Sequence, residues 1–168
     1  SVYFSGKKAG PRMDLLIYLP AKATKPVPVF MGLNFYGNHT ITDETDVQLN
    51  GNWMRASKEK GIVDHKATED SRGKSSSRWP IETIIDRGYG LVAIYCGDID
   101  PDYDDGFKNG VHALFNSKQK PAPDEWGTIS AWAWGLSCAL DYLETDKQID
   151  ASKVAVIGHS RLGKTSLW

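Results

Sequence analysis

Apolar residues cluster in four short runs along this 168-residue chain, and each run predicts a β-strand. The runs are Met13–Leu19, Val27–Leu33, Leu91–Cys96 and Lys153–Ile157. Their nearly continuous apolar character is typical of strands that are buried on both faces of a sheet. Pro20 closes the first run, so we expect that strand to lie near a sheet edge.

Helical periodicity appears between these strands. Ile81, Ile84 and Ile85 form one apolar face that ends before Gly88, and Thr128–Leu143 is the longest stretch with helical spacing. The alternation of strands and helices predicts an α/β fold, a three-layer α/β/α sandwich around a mostly parallel sheet.

The whole chain, residues 1–168, is expected to form a single domain. Two polar segments interrupt the alternation. Residues 41–78 are long enough for a lid, a binding loop or a disordered segment, and Gly97–Asp105 reads as an acidic loop.

Composition excludes several classes of protein. The net charge of −1 gives no bulk attraction to nucleic acid or to an anionic membrane. No apolar run approaches the roughly 20 residues that a membrane-spanning helix needs, and we expect no signal peptide among these residues. Cys96 and Cys138 fit either two free thiols or one disulfide.

The segment after the fourth strand carries the candidate chemistry. Gly158 ends the apolar run, Ser160 follows two residues later, and a helix-compatible stretch begins at once. This strand, turn and helix arrangement is how α/β-hydrolases present a nucleophilic serine. The usual pattern G-x-S-x-G places its second glycine where this chain has Leu162, with Gly163 one residue later. The alternative interpretation is that Ser160 has only a structural role, as the N-cap of the helix that follows the strand.

A phosphate-binding loop is the competing prediction for the same segment. Gly158–Thr165 also satisfies G-x-x-x-x-G-K-[ST], the pattern of nucleotide-binding P-loops. Such loops cradle phosphate with backbone N–H groups and favour small central residues, whereas the centre here is His159-Ser160-Arg161-Leu162. The P-loop pattern also tends to follow an early strand, and here it follows the fourth.

Gly158–Lys164 resembles the nucleophile signature Gly-x-Ser-Arg-x-Gly-Lys of the glucuronoyl esterases, carbohydrate esterase family 15. Bacterial members carry histidine before the serine, as at His159, and continue into Thr-x-Leu-Trp. The resemblance covers most of the chain from about residue 11 onward, and its other segments are Gly32–Thr40, Tyr95–Phe107, Ala131–Leu136 and Asp141–Asp146.

The resemblance implies the α/β-hydrolase fold and a serine esterase that needs no metal or cofactor. The expected substrate is an ester of 4-O-methyl-glucuronic acid that links glucuronoxylan to lignin, hydrolysed through an acyl-enzyme. Ser160 is implied as the nucleophile, Arg161 as the oxyanion-stabilising residue through its side chain and backbone N–H, and Lys164 as a ligand of sugar hydroxyls. An acetyl-xylan-type esterase of the same fold is the alternative within this class of enzyme. Extracellular or periplasmic location is implied by the same resemblance.

The general base and the acidic triad member are not assigned to this chain. In α/β-hydrolases both follow the serine, whereas all four histidines come before Ser160. We expect His159 to point away from the serine and His39 to be structural. The chain is expected to be the N-terminal portion of the domain, ending just after the nucleophile turn. It needs a C-terminal half from the same or a second chain, and alone it is expected to expose a sheet edge.

Two further patterns have structural interpretations. Five aspartates lie between Asp98 and Asp105, but a calcium loop needs glycine at its sixth position, where this chain has Tyr103. We expect these aspartates to be solvated, to cap backbone groups or to order the loop. Asn38-His-Thr40 is a glycosylation sequon, and we expect Asn38 to be structural and unmodified.

Overall fold

A four-stranded mixed sheet forms the centre of the molecule in a computed structural model that describes residues 1–115 and 122–168. The strands in chain order are β1 (Val2–Tyr3), β2 (Arg12–Met13), β3 (Leu15–Tyr18), β4 (Val27–Asn34), β5 (Ile62–Val63), β6 (Lys66–Ala67), β7 (Gly90–Tyr95) and β8 (Ile149–Ile157). The α-helices are α1 (Ile81–Asp86), α2 (Cys96–Ile99), α3 (His112–Phe115), α4 (Thr128–Leu143) and α5 (Arg161–Leu167). No helix in the described residues is long and apolar enough to span a membrane.

The strand order in the central sheet is β3-β7-β4-β8. β3 runs antiparallel to β7, and β4 runs parallel to both β7 and β8. The prediction of a mostly parallel sheet with the first strand at its edge is therefore confirmed. β1–β2 and β5–β6 form two separate antiparallel pairs.

The two faces of β4 contact different layers. Val29 and Met31 alternate into the main core, where Trp132 of α4 is also buried. Phe30 points to the opposite face, and its ring centroid lies 5.4 Å from that of Tyr89, just after α1. The sheet is therefore covered on both sides, as the predicted three-layer architecture requires.

Three boundaries differ from the sequence predictions. The first predicted strand is divided, because β2 pairs with β1 and only β3 joins the central sheet. β8 begins at Ile149 rather than Lys153, since Ile149 pairs with Val27 across an irregularity in the register. The prediction of a loop from Gly97 onward was wrong at its start, because α2 is a buried helical turn.

The long polar segment 41–78 is ordered by local pairing and by contacts with its own backbone. It contains the β5–β6 hairpin and 3-10 turns at Glu69–Ser71 and Ser76–Arg78. The Arg72 guanidinium donates to the carbonyls of Glu44 and Val47 at 2.9 and 2.6 Å. These bonds hold the start of the segment against its end.

β8 forms an open edge in the described part of the sheet, because β4 is its only partner strand there. Val156 and Ile157 of this strand are 42% and 36% exposed. Leu167 and Trp168 at the end of α5 are 90% and 80% exposed. The expected exposed sheet edge is therefore present, and it is apolar.

Candidate active site

Ser160 occupies the turn between β8 and α5 in a backbone conformation that non-glycine residues rarely adopt. Its φ is 55° and its ψ is −129°, and the side chain is exposed. A strained residue at a strand-to-helix turn is the geometry by which α/β-hydrolases expose a nucleophile. Ser160 makes no side-chain capping bond to α5, so the simple N-cap alternative does not describe it.

The glycines around the turn explain how strand and helix pack closely although the second glycine of the motif is displaced. A Cβ on Gly158 would lie 2.3 Å from the Leu162 carbonyl oxygen, so any side chain there would collide with α5. A Cβ on Gly163 would lie 3.3 Å from the Gly158 carbonyl oxygen, which is tight but less severe. Leu162, at the usual glycine position, is 1% exposed and packs into the core instead.

Arg161 lies directly after the serine, and its guanidinium has two partners. One Nη2 hydrogen bond goes to Oδ2 of Asp102. The Cζ atom lies 4.7 Å from the centre of the Phe35 ring, within the range of a cation–π contact. The Nε atom is buried and has no hydrogen-bond partner among the described residues.

Asp102 is shared by a second arginine. Nη2 of Arg55 lies 3.9 Å from the same Oδ2 atom and donates to the Asp102 carbonyl at 3.4 Å. Asp102 is 13% exposed, whereas Arg161 and Arg55 are 39% and 58% exposed in their side chains. Two cations and one anion therefore form a cluster beside Ser160.

Lys164 lies one helical turn after Ser160 on an exposed surface. Its backbone N–H donates to the Ser160 carbonyl at 3.1 Å. Within the described ranges, its ammonium group has no ion-pair partner. Lys164 is not among the described residues that line the cleft over Ser160, so the structure does not bring it to the serine as it does Arg161.

A cleft of about 730 Å³ opens over Ser160 and is strongly basic. None of the described residues that line it is acidic. Segment 41–78 supplies the side chains of Arg55, Lys60 and Arg78, and Trp79 follows directly. Lys60 is anchored by its Nζ donating to the Lys74 carbonyl at 2.6 Å.

A larger cavity of about 1130 Å³ lies elsewhere and contains none of the predicted site residues. It runs along β3, which has β7 as its only partner strand in the described sheet. We therefore place the candidate active site in the smaller cleft, where the strained serine is found.

The histidines of the chain are not positioned as partners of Ser160. His39 is fully buried, with its Nδ1 accepting from the Asn50 N–H at 3.4 Å. Burial, and then the nearby Arg72 cation, lowers the pKa of His39 to about 4. His159 lines the cleft, but in the described residues its imidazole makes no hydrogen bond to the serine.

A buried histidine–aspartate pair also exists, and no sequence pattern predicted it. His112 Nδ1 lies 2.7 Å from Oδ1 of Asp100, and the two side chains are 1% and 2% exposed. Burial raises the pKa of Asp100 despite its bond to His112. The pair does not line the cleft, so we assign it to structure.

The acidic segment orders loops as expected, but two of its members are buried rather than solvated. Burial raises the pKa of Asp98 to about 6, although Asn50 and Asn52 donate to it at 2.7 and 2.8 Å. Asp100 is the second buried member. Asp105 accepts from the Phe107 and Asn109 N–H groups, which is the expected capping role. The described residues contain no cluster of three or more potential metal ligands among His, Cys, Asp and Glu.

The remaining sequence candidates also have structural positions. The amide of Asn38 donates to the Asp14 carbonyl at 2.8 Å and accepts from Asn34 at 2.7 Å. Cys96 and Cys138 are free thiols, so the free-thiol alternative is correct. Burial, and then the Asp102 charge, raises the pKa of Cys96, which makes this thiol unreactive.

Comparison with known proteins identifies the family to which the chain is similar. Residues 106–168 match the family model described as glucuronyl esterase, fungi. The chain is 56% identical to carbohydrate esterase MZ0003 from an unknown prokaryotic organism, over 99% of the chain but 39% of that relative.

Solved structures show the same relationship. A promiscuous CE15 esterase from a marine bacterial metagenome is 57% identical with a TM-score of 0.83, covering 96% of this chain and 41% of that protein. A glucuronoyl esterase from Solibacter usitatus is 46% identical with a TM-score of 0.88, covering 99% and 42%. The strained serine, the sheet order and these matches define an α/β-hydrolase. The chain belongs to carbohydrate esterase family 15, and it spans about two fifths of the length of these relatives.

Proposed function

We propose that this chain is the nucleophile-bearing part of a serine hydrolase that cleaves esters of glucuronic acid. The observation that carries the proposal is Ser160, exposed at a strained turn beside Arg161 and open to a basic cleft. The similarity to a carbohydrate esterase and to a glucuronoyl esterase supports this class of reaction.

The proposed reaction proceeds through an acyl-enzyme and uses no metal or cofactor. Ser160 Oγ attacks the ester carbonyl carbon while its proton passes to a general base. The carbonyl oxygen becomes an oxyanion, which the Arg161 backbone N–H and guanidinium stabilise. Loss of the alcohol leaves an ester on Ser160, and water then releases the acid and restores the hydroxyl.

The general base and its carboxylate partner come, in our proposal, from polypeptide outside these 168 residues. Within the described residues, which include all four histidines, none is bonded to Ser160, and His39 and His112 are buried away from the cleft. The apolar outer edge of β8 offers a surface for further strands of the same domain. The chain is thus the N-terminal portion of a single α/β-hydrolase domain.

The charge of the cleft favours an acidic polysaccharide as substrate. The esterified uronate is neutral, but a glucuronoxylan chain also carries free uronates, which Arg55, Lys60 and Arg78 can attract. Lys164 is the proposed ligand of the sugar hydroxyls, and the proposed alcohol is a lignin unit. A neutral acetyl ester gains little from this charge, so acetyl-xylan is the weaker alternative. Because such polymers do not enter cells, we propose an extracellular or periplasmic location.

The geometry of the turn does not favour the phosphate-loop alternative. α5 already begins at Arg161, so Lys164 and Thr165 lie within the helix rather than at its start. Thr165 is 2% exposed, and its hydroxyl donates to the Arg161 carbonyl at 3.1 Å. A P-loop needs that hydroxyl to face Mg²⁺.

The proposal is tested by hydrolysis of the benzyl ester of glucuronic acid. The complete protein that contains this chain is compared with its Ser160→Ala variant, and acetyl-xylan and ATP serve as alternative ligands. We expect release of glucuronate that disappears in the variant. Absence of glucuronate release, or release that persists in Ser160→Ala, would overturn the proposal.

A further inference from the structure

We propose that Asp102 is a positioning residue for the reaction, because its carboxylate fixes the Arg161 guanidinium beside Ser160. This inference rests on the proposed esterase function and adds a residue to it. Asp102 lies 58 residues before Ser160 in the sequence and reaches the site only through the fold.

The guanidinium of Arg161 is held on two sides. The Asp102 carboxylate binds its Nη2 end, and its Cζ atom lies over the Phe35 ring, 4.7 Å from the ring centre. An arginine on the first turn of a helix otherwise has many rotamers and extends into solvent. The two contacts select one orientation for a side chain that is still 39% exposed to the cleft.

Fixed orientation matters because oxyanion stabilisation depends on donors that are in place before the charge develops. A mobile guanidinium must be ordered during the reaction and loses much of its effect. A displacement of about 1 Å in a positioned group can cost on the order of 100-fold in rate. Asp102 therefore acts on the transition state through Arg161 without touching the substrate.

The cluster around Asp102 stays positively charged although Asp102 is an anion. A carboxylate paired with Arg161 alone would cancel the positive charge that the oxyanion needs. Arg55 approaches the same Oδ2 at 3.9 Å, so the three groups together keep a net charge of about +1 beside Ser160. Asp102 can thus orient Arg161 while the cluster stays attractive to an anion.

Buried hydrogen bonds fix the backbone that leads to Asp102. Two residues earlier, the Asp100 carbonyl accepts from Trp132 Nε1 of α4 at 2.8 Å, and the Asp100 carboxylate binds buried His112. The buried His–Asp pair thereby anchors the backbone from which Asp102 extends. This arrangement gives that structural pair a connection to the active site.

The test compares Asp102→Asn, Asp102→Glu and Asp104→Asn in the complete protein, with the benzyl ester of glucuronic acid as substrate. Asp104 is the matched control, because it is an exposed aspartate of the same loop and, within the described residues, its carboxylate accepts only from the Gly106 N–H, at 3.0 Å. Asp102→Asn should lower kcat by about 10- to 100-fold with KM changed less than about threefold, since a lost oxyanion donor costs about 100- to 1000-fold. Asp102→Glu should recover part of the loss, and Asp104→Asn should match the wild type.

A double-mutant cycle with Arg161→Gln tests whether Asp102 affects kcat through Arg161. Asp102→Asn should change kcat by less than about twofold once Arg161 is removed, because two residues that act through one contact are not additive. Additive losses, or a raised KM at constant kcat, would overturn the inference. If the wild-type protein does not release glucuronate, the proposed function fails rather than the role of Asp102.

A measurement without turnover decides the positioning itself. Rotation of the Arg161 guanidinium about its Nε–Cζ bond is followed by nitrogen NMR. The internal reference is Arg87, which is exposed and whose guanidinium has no partner among the described residues. Slow rotation that becomes fast in Asp102→Asn supports the inference. Rotation as fast as that of Arg87 in the wild-type protein contradicts it, whatever the activity.

Discussion

At the scale of single residues, His39 links stability to pH. The imidazole is fully buried, and burial together with the Arg72 cation lowers its pKa to about 4. The unfolded chain takes up this proton near pH 6.5, so the unfolded state binds more protons between about pH 6.5 and pH 4. The contribution of neutral His39 is therefore complete above about pH 6.5 and is lost as the pH falls towards 4.

We predict that the free energy of unfolding, measured in urea for wild type and His39→Gln, shows this loss. The free energy of unfolding of the wild type minus that of His39→Gln should fall by about 3 kcal/mol between pH 7 and pH 4, since each pKa unit corresponds to about 1.36 kcal/mol. The variant is needed because Asp98 changes stability in the opposite direction over the same pH range. Its pKa of about 6 in the folded protein means that it stabilises the fold as the pH falls. A difference that is the same at both pH values contradicts the prediction.

The sequence is informative for some site residues and not for others. The strand–turn–helix pattern predicts Ser160, and the resemblance to the family signature then predicts Arg161 and Lys164 within the next four residues. Asp102 and Arg55 join this group from distant loops, and only tertiary packing brings them within bonding distance. The buried positions of Asp98 and Asp100 were missed because a run of aspartates is normally solvated.

At the scale of elements, the junction of β8 and α5 depends on two glycines with unequal roles. A Cβ on Gly158 meets the Leu162 carbonyl oxygen at 2.3 Å and Ser166 Oγ at 2.5 Å. A Cβ on Gly163 meets its nearest atom at 3.3 Å, and alanine there gains helix propensity. Strand and helix can approach closely only while residue 158 has no side chain.

We predict that Gly158→Ala lowers the free energy of unfolding by about 2 kcal/mol or more, which is the usual cost of overpacking. Gly163→Ala is the matched variant and should stay within about 1 kcal/mol of wild type, because its helix gain offsets the mild contact. Urea unfolding of the complete protein measures both. Equal losses in the two variants would show that the two glycines contribute equally.

Element boundaries were predictable where apolar patterning was strong. β7 and α4 agree closely with the sequence prediction, because each is long and consistently patterned. The first residues of β8 were missed, since Ile149-Asp-Ala-Ser lacks the apolar run and is recruited by pairing with Val27. The helical turn α2 was missed because glycine and aspartate favour loops, whereas here burial against α4 decides.

At the scale of the whole molecule, the open edge of β8 predicts that further strands pair with it in the complete protein. Backbone N–H groups that point away from β4 have no partner strand in the described sheet. If further strands complete the domain, the same groups are hydrogen-bonded in the complete protein. We predict that those amides of Val154–Ile157 whose N–H groups point away from β4 exchange at least about 100-fold more slowly in the complete protein than in residues 1–168 alone.

The neighbouring strand β4 provides the internal control for that exchange experiment, because it is paired on both sides in either form. Similar protection of β4 in the two samples shows that residues 1–168 are folded. Equal exchange of β8 in both samples would mean that no additional strand pairs with this edge.

The strained turn at Ser160 has a consequence for protein engineering. A backbone with φ of 55° and ψ of −129° suits glycine better than serine, so the native residue lowers stability at the position where it acts. Selection for heat tolerance alone therefore rewards replacement of the nucleophile by glycine. A laboratory that evolves this protein for robustness must screen for turnover in every round, or its most stable clone will be an inert one.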